Sequence, residues 1–530
     1  MQRREFLQAA AAAGAGWMLA ENLSAANAAA APAHDKLIGM YVHQHWPYRH
    51  PYSARTWTYD DWHGYLDGLH RLGFNLVLIW PMLETMPNPL TPSDRANLEK
   101  IRRVIDAAHH DFQMKVWIAQ CPNVAAIDAA AAKAPFEKRH FFHCDRRVNP
   151  ADAKDVDAMM AQCERVFAPL AQADGVTIID SDPGSYPNSS NVEFIELLMR
   201  YRRMFDKLRP GRIELLYWLW AGWPAYGRWY AGKDFAWGTD AEFTEVLTAL
   251  KQRNPEPWGL ARGVEFAQKL GLESKVINLN YGAIEGEPSF PMTNFGGRDA
   301  YHAGRNMGPR GTLGNAQTHC VQLPNTFAFA RGAKGLPLGD GDYIQFANDL
   351  IVGRGALIFS AWQALGGSDS GRMRQVAGAL LPMVKEKLQP GPLRGLLLGD
   401  ANRFVKDLYL MLRTRAALVE FLNASKQNGA VLGPYADFVA WVERWQLVHG
   451  FEGVWGWGNL ETALRKLKSP SLEAFFSETV PADTPWNRIQ AEYYAAETPT
   501  TRLLRAMKQS LWELDPRYPD SSATFPLQGQ

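Results

Sequence analysis

The run from Asp174 to Tyr186 reads Asp-Gly-Val-Thr-Ile-Ile-Asp-Ser-Asp-Pro-Gly-Ser-Tyr. Val176 to Ile179 has the composition of a buried strand. It leads straight into two carboxylates, Asp180 and Asp182, and then a Pro-Gly turn. Residues two apart on a strand share a face. The pair is therefore expected to point one way at the carboxyl end of a strand, where α/β folds place their active sites. Two acids there suit acid/base or nucleophilic chemistry on a polar, uncharged substrate, with a sugar as the first candidate. Like charges on one face raise one of the two pKa values. The expected roles are Asp182, nearer the mouth, as the acid and Asp180 as the stabilising carboxylate. The alternative is that the two cap the next helix or hold a turn, as Asp before Pro-Gly often does.

The elements that must position these acids alternate between strand and helix. Predicted strands run over Leu37–His45, Asn75–Trp80, Met114–Gln120, Val176–Ile179, Arg212–Trp220, Lys275–Tyr281, Gly311–Leu323 and Gly355–Trp362. Helical periodicity fills the gaps between them, for example over Thr58–Leu72, Asn97–His110 and Asn191–Leu208. Eight strands alternating with helices predict a (β/α)8 TIM-type barrel. An open doubly wound sheet is the runner-up, but the first strand ends in His43-Gln44-His45-Trp46-Pro47, not in a Gly-rich phosphate loop. After about Gly366 helical periodicity dominates and predicts a helical C-terminal domain. The expected organisation is a leader over 1–33, a catalytic barrel over 34–366 and the helical domain over 367–530.

In a barrel, catalytic groups come from the carboxyl ends of strands. The predicted ends offer His43 and His45, Trp80 with Glu84 beyond it, Asp180 and Asp182, and Trp218 and Trp220. They also offer Tyr281 with Glu285 and Glu287 in the loop that follows, Gln317 and His319, and Trp362. This wall of carboxylate, amide, imidazole and indole suits a neutral polyhydroxylated ligand. The expected catalytic groups are Asp180, Asp182 and, as alternative partners, Glu285 or Glu287. The expected substrate-binding groups are His43, His45, Trp80, Glu84, Trp218, Trp220, Tyr281, Gln317, His319 and Trp362. Trp218 and Trp220 share one strand face and Tyr217 and Leu219 the other; one set must face the lumen.

The layout from Lys36 to Leu365 resembles a (β/α)8 glycoside hydrolase. The chitinase-type motif, Asp-Gly-x-Asp-x-Asp-x-Glu, matches Asp174-Gly175 and a following Pro183, but Ile179 and Ser181 stand where its last Asp and its Glu belong. A pattern with acids on strands 4 and 7 fails, because the seventh predicted strand has no Asp or Glu. A third pattern, of the α-galactosidase type, puts a nucleophile on strand 4 and an acid/base after strand 6, where Glu285 or Glu287 stands. The resemblance implies glycoside cleavage, which needs a proton for the leaving oxygen and negative charge beside an oxocarbenium-like carbon.

Composition narrows the partners. The chain has 530 residues and a net charge of +1, which leaves no basic field for nucleic acid. Its 19 Trp residues exceed what a core needs, and indole faces are platforms for sugar rings. A carbohydrate substrate is expected and no cofactor. Gln2-Arg3-Arg4-Glu5-Phe6-Leu7 resembles the twin-arginine export motif. With Ala26-Asn27-Ala28 as a cleavage site, it predicts a periplasmic or secreted protein without an integral membrane segment. His43-Gln44-His45 has the spacing of a metal-ligand pair, but the predicted strands 5, 6 and 8 end in Trp, Asn280, and Ser360 and Trp362, which do not complete an amidohydrolase-type set. A metal-dependent hydrolase using His43 and His45, and a non-catalytic carbohydrate-binding protein on a degenerate barrel, are the alternatives to a glycosidase.

Overall fold

The computed structural model describes residues 36–518, apart from 45–47, 126–134, 140–145, 182–183, 234–235, 286–294, 297, 428–429, 450–457 and 478–498. Eight parallel strands close into a barrel: β1 (Leu37–His43), β2 (Leu76–Trp80), β3 (Lys115–Gln120), β4 (Gly175–Ile179), β5 (Glu214–Trp218), β6 (Trp258–Ala261), β7 (Val276–Asn280) and β8 (Gly311–Ala316). Each pairs with its neighbour in sequence, and β1 closes on β8 with Leu37 opposite Gly311 and Val42 opposite Ala316. Helices between the strands start on local signals. Thr58 with Asp61, Thr91 with Asp94, Ser190 with Glu193 and Thr239 with Glu242 form reciprocal capping boxes, each satisfying two backbone N–H groups that a helix start leaves open.

The expected (β/α)8 architecture is present, with one strand reassigned. Gly355–Gly366 is a helix, not the eighth strand, and the sixth strand is Trp258–Ala261. The segment Gly-Ala-Leu-Ile-Phe-Ser-Ala-Trp is apolar nearly all round, so its period does not separate strand from helix. Ile358, Phe359, Ala361, Trp362 and Leu365 are all buried in it. Trp362 packs against Phe346, their ring centroids 5.8 Å apart, and so does not stand at a strand end. The segment with Tyr281 is consequently the seventh strand, and Glu285 lies in the loop from β7 to β8.

Side-chain parity decides what lines the lumen. Trp218 of β5 meets Tyr41 of β1 at 5.3 Å, and these strands are on opposite sides of the barrel, so both rings cross the interior. Tyr217, one residue earlier, packs on Phe194 of the helix Asn191–Leu208 at 5.3 Å and faces the helix layer. At the amino end, Arg310 donates to both carboxylate oxygens of Glu214, at 2.6 and 2.9 Å. A Cβ on Gly259 would stand 2.1 Å from the Arg310 guanidinium, so any larger residue there would displace this ion pair.

Beyond the barrel the chain is helical: Ser370–Leu380, Ala401–Lys426, Leu432–His449, Gly458–Arg465, Pro470–Ser477 and Pro499–Leu514. The helix Ala401–Lys426 is tied to the barrel by Asp407, which accepts from Tyr52 and Arg403. A second joint is backbone on backbone: a Cβ on Gly395 would fall 1.9 Å from the Gly64 carbonyl oxygen. Among the described residues no helix is long and apolar enough to cross a membrane. Cys121, Cys163 and Cys320 are buried.

Candidate active site

The carboxyl end of the barrel carries a connected set of rings. His43 meets Trp80 at 4.9 Å and Tyr41 at 5.4 Å, and Trp218 meets Trp220 at 6.3 Å. Trp220 in turn meets Tyr281 edge-on at 4.9 Å and Trp237 at 5.9 Å. Tyr41, His43, Trp80 and Trp218 are buried and fill the lumen. Trp220, Trp237 and Tyr281 are half-buried and form the accessible part of the mouth. Gln317 Nε2 donates to Tyr281 Oη at 3.0 Å, and the Arg262 guanidinium lies 4.9 Å from the Trp220 ring centroid. Of the expected substrate-binding residues, Trp220, Tyr281 and Gln317 are thus together at the mouth, with His43, Trp80 and Trp218 beneath them.

Asp180 is not in the lumen. It is fully buried, and Tyr217 Oη, which belongs to the helix-facing side of β5, donates to its Oδ2 at 2.9 Å. The backbone N–H of Trp220 points at both carboxylate oxygens, with N···O distances of 3.1 and 3.0 Å. The backbone of Gly222 and the Ser181 hydroxyl also donate to it. Burial raises the carboxyl to about 6 against these donors, which pull it down. Asp180 falls on the face of Val176 and Ile178, and that face looks toward the helices. Both faces of a parallel strand are apolar, so nothing in the segment distinguishes them.

Glu285 is equally engaged. Its Oε2 accepts from the N–H of Gln317 at 2.7 Å and of Thr318 at 2.5 Å. Its Oε1 accepts from the Thr318 hydroxyl at 2.5 Å and from Gln322 Nε2 at 3.1 Å. Burial raises its pKa and these donors oppose the rise. Glu84 sits just past β2, buried, accepting from Cys121 N–H at 2.5 Å and from Trp80 Nε1 at 3.3 Å; burial pushes it up to about 7. It holds the back of Trp80 and is not on the open mouth.

His319 is buried, its Nδ1 bonded to the Tyr65 hydroxyl at 2.7 Å and its Nε2 without a partner among the described residues. Burial lowers both imidazoles to about 3, and for His43 the positive charge of Arg55 adds to it. Both are neutral at ordinary pH. Asp182, Glu287 and His45 lie outside the described residues, as does the leader over 1–33. Among the described residues no three His, Cys, Asp or Glu side chains gather as a metal site.

Two mouth residues escaped the sequence reading. Arg262 follows β6 directly and holds a left-handed backbone, φ 71°, a conformation rare for a residue with a side chain. It was missed because β6 was missed; with that strand recognised, Arg262 is its carboxyl end. Trp237 comes from the long β5–β6 connection and carries no local signal.

No family model and no curated protein matches the chain. Among solved structures the chain is similar to a GH138 enzyme targeting pectin rhamnogalacturonan II, at 10% identity over 91% of this chain and 67% of that one, with a TM-score of 0.49. It is also similar to an O-GlcNAc hydrolase from Thermobaculum terrenum, at 10% identity over 91% and 96%, TM-score 0.41. A third is PhdJ bound to a substrate intermediate, at 12% identity over 74% and 99%, TM-score 0.30. The structural matches thus include distant glycoside hydrolases; at these identities and scores they carry nothing about substrate or mechanism.

Proposed function

We propose that the protein is an exported glycoside hydrolase that cleaves a neutral glycan at the carboxyl end of its barrel. The observation that carries this reading is the half-buried ring cluster of Trp220, Tyr281 and Trp237 with Gln317 beside it. Indole and phenol faces take the C–H face of a sugar ring, and an amide serves its hydroxyls. Asp180 and Glu285 are both committed to loop N–H and hydroxyl donors. Of the four acids drawn from the sequence, Asp182 and Glu287 are left as the pair that handles the proton and the positive charge. Each stands two residues beyond one of the tethered carboxylates. The test is a screen of the purified protein against aryl glycosides, repeated with Asp182→Asn and Glu287→Gln. Loss of kcat by roughly 10²–10⁴-fold is expected for a proton-transfer group; near-normal rates for both variants reject the pair.

A second reading is a non-catalytic carbohydrate-binding protein. One observation favours it: among the described residues, the lumen-facing strand ends His43, Trp80, Trp218 and Asn315 include no carboxylate. Sugar binding without turnover across the same screen selects this reading over the first.

A further inference from the structure

Two buried carboxylates hold neighbouring loops in the same manner. Asp180 takes the N–H of Trp220 between its two oxygens, and Glu285 takes the N–H groups of Gln317 and Thr318 on one oxygen. Two of the captured N–H groups, those of Trp220 and Gln317, belong to residues whose side chains reach the mouth. Trp220 is itself a mouth ring. Gln317 donates to the hydroxyl of Tyr281, whose ring meets Trp220 at 4.9 Å. Two tethers from separate loops, β4–β5 and β7–β8, therefore converge on one pair of rings.

We infer that Asp180 and Glu285 are positioning residues that hold the rings of Trp220 and Tyr281, inclined at 62° to each other, with Trp237 at 79° to Trp220, as an aromatic corner into which a sugar ring packs. This rests on the carbohydrate reading above. A carboxylate offers about four lone-pair sites, and each of these two groups has four donors. To protonate a glycosidic oxygen, Asp180 would have to release Trp220 N–H and Tyr217 Oη and leave the helix side of the sheet. Bonds from an ionised carboxylate to backbone N–H are charge-assisted, short and about twice as strong as neutral ones. That strength suits the task, because a stacking ring on a loop binds well only when its supports fix it to about 0.5 Å.

The experiment is a double-mutant cycle on the wild-type protein, using whichever aryl glycoside it cleaves fastest. Asp180→Asn should raise KM about tenfold, the equivalent of roughly 1.4 kcal/mol, with kcat changed less than about threefold. Because Asp180 acts through Trp220, the Asp180→Asn/Trp220→Ala double variant should have the KM of Trp220→Ala alone. Additive KM effects overturn the proposal, as does a large fall in kcat at unchanged KM. Should Asp180→Asn fail to fold by circular dichroism, Tyr217→Phe replaces it in the same cycle, with a smaller rise in KM and the same lack of additivity. Should no glycoside be cleaved, the catalytic reading has failed but positioning is still measurable. The emission of Trp220, taken as the difference between each protein and its Trp220→Phe version, should shift to the red in Asp180→Asn; an unchanged spectrum overturns the inference.

Discussion

The two ends of the barrel use buried carboxylates for opposite purposes. At the amino end, Glu214 of β5 is held by Arg310, just before β8, in a two-pronged ion pair that crosses the lumen. Strand holds strand, and the charges cancel. At the carboxyl end, Asp180 and Glu285 have no cation among their hydrogen-bond partners in the described residues; they collect backbone N–H groups, hydroxyls and an amide. Strand end holds loop, and the loops hold rings. The first arrangement makes a closed end, the second an end whose surface depends on how firmly its loops are tethered. That division agrees with the general rule that the amino face of such barrels serves stability and the carboxyl face chemistry.

Removing one tether from each end tests the contrast. Glu285→Ala should have the largest effect, since it strands two N–H groups, a hydroxyl and an amide in a buried site. A loss of about 4 kcal/mol is expected in urea unfolding, together with a raised KM. Arg310→Met should cost about 3 kcal/mol by leaving Glu214 unpaired and mostly buried, with KM unchanged. A raised KM in Arg310→Met would break the contrast between the ends.

Acid should also act on the carboxyl end first. His43 and His319 are neutral in the fold, with pKa values lowered to about 3, whereas in the unfolded chain they titrate near 6.5. As pH falls below 6.5 the unfolded state takes up protons that the folded state refuses, so their contribution is lost progressively down to about pH 3. Asp180 and Glu84 work the other way: their raised pKa values, about 6 and about 7, favour the protonated fold as pH falls. The imidazole effect is therefore read as a difference. Between pH 8 and pH 4.5 the wild type should lose on the order of 2 kcal/mol relative to His319→Gln. A pH-independent difference between the two proteins would count against burial of a neutral His319. The smallest effect is expected for Tyr217→Phe, which removes one donor from Asp180 and leaves the backbone grip: about 1 kcal/mol in stability.

Much of this arrangement is legible in the sequence. The alternation of periods placed seven of the eight strands, and the strand-end rule singled out Trp220, Tyr281 and Gln317. What failed was local ambiguity. Trp258–Ala261 is four residues long, follows Pro257 and carries Gly259, so it has little strand signature; the longer apolar run at Gly355 took its place. The two-residue parity paired Asp180 with Asp182, which lies outside the described residues. Parity gives a relative face only, and which face meets the lumen is a property of the closed sheet. Asp180 ties down the β5–β6 loop at Trp220 and Gly222 and not a helix start.

Closure itself has a consequence for how the chain is assembled. Lys36, at the start of β1, reaches the Gly308 carbonyl 272 positions away, and β1 gains its second neighbour only when β8 exists. Until Gly311–Ala316 has left the ribosome, β1 is the bare edge of an open sheet, a template for wrong pairing. Contacts so distant in sequence are expensive in loop entropy and make folding slow. A chain truncated anywhere before Gly311 is therefore expected to be an aggregation-prone open sheet and not a smaller barrel.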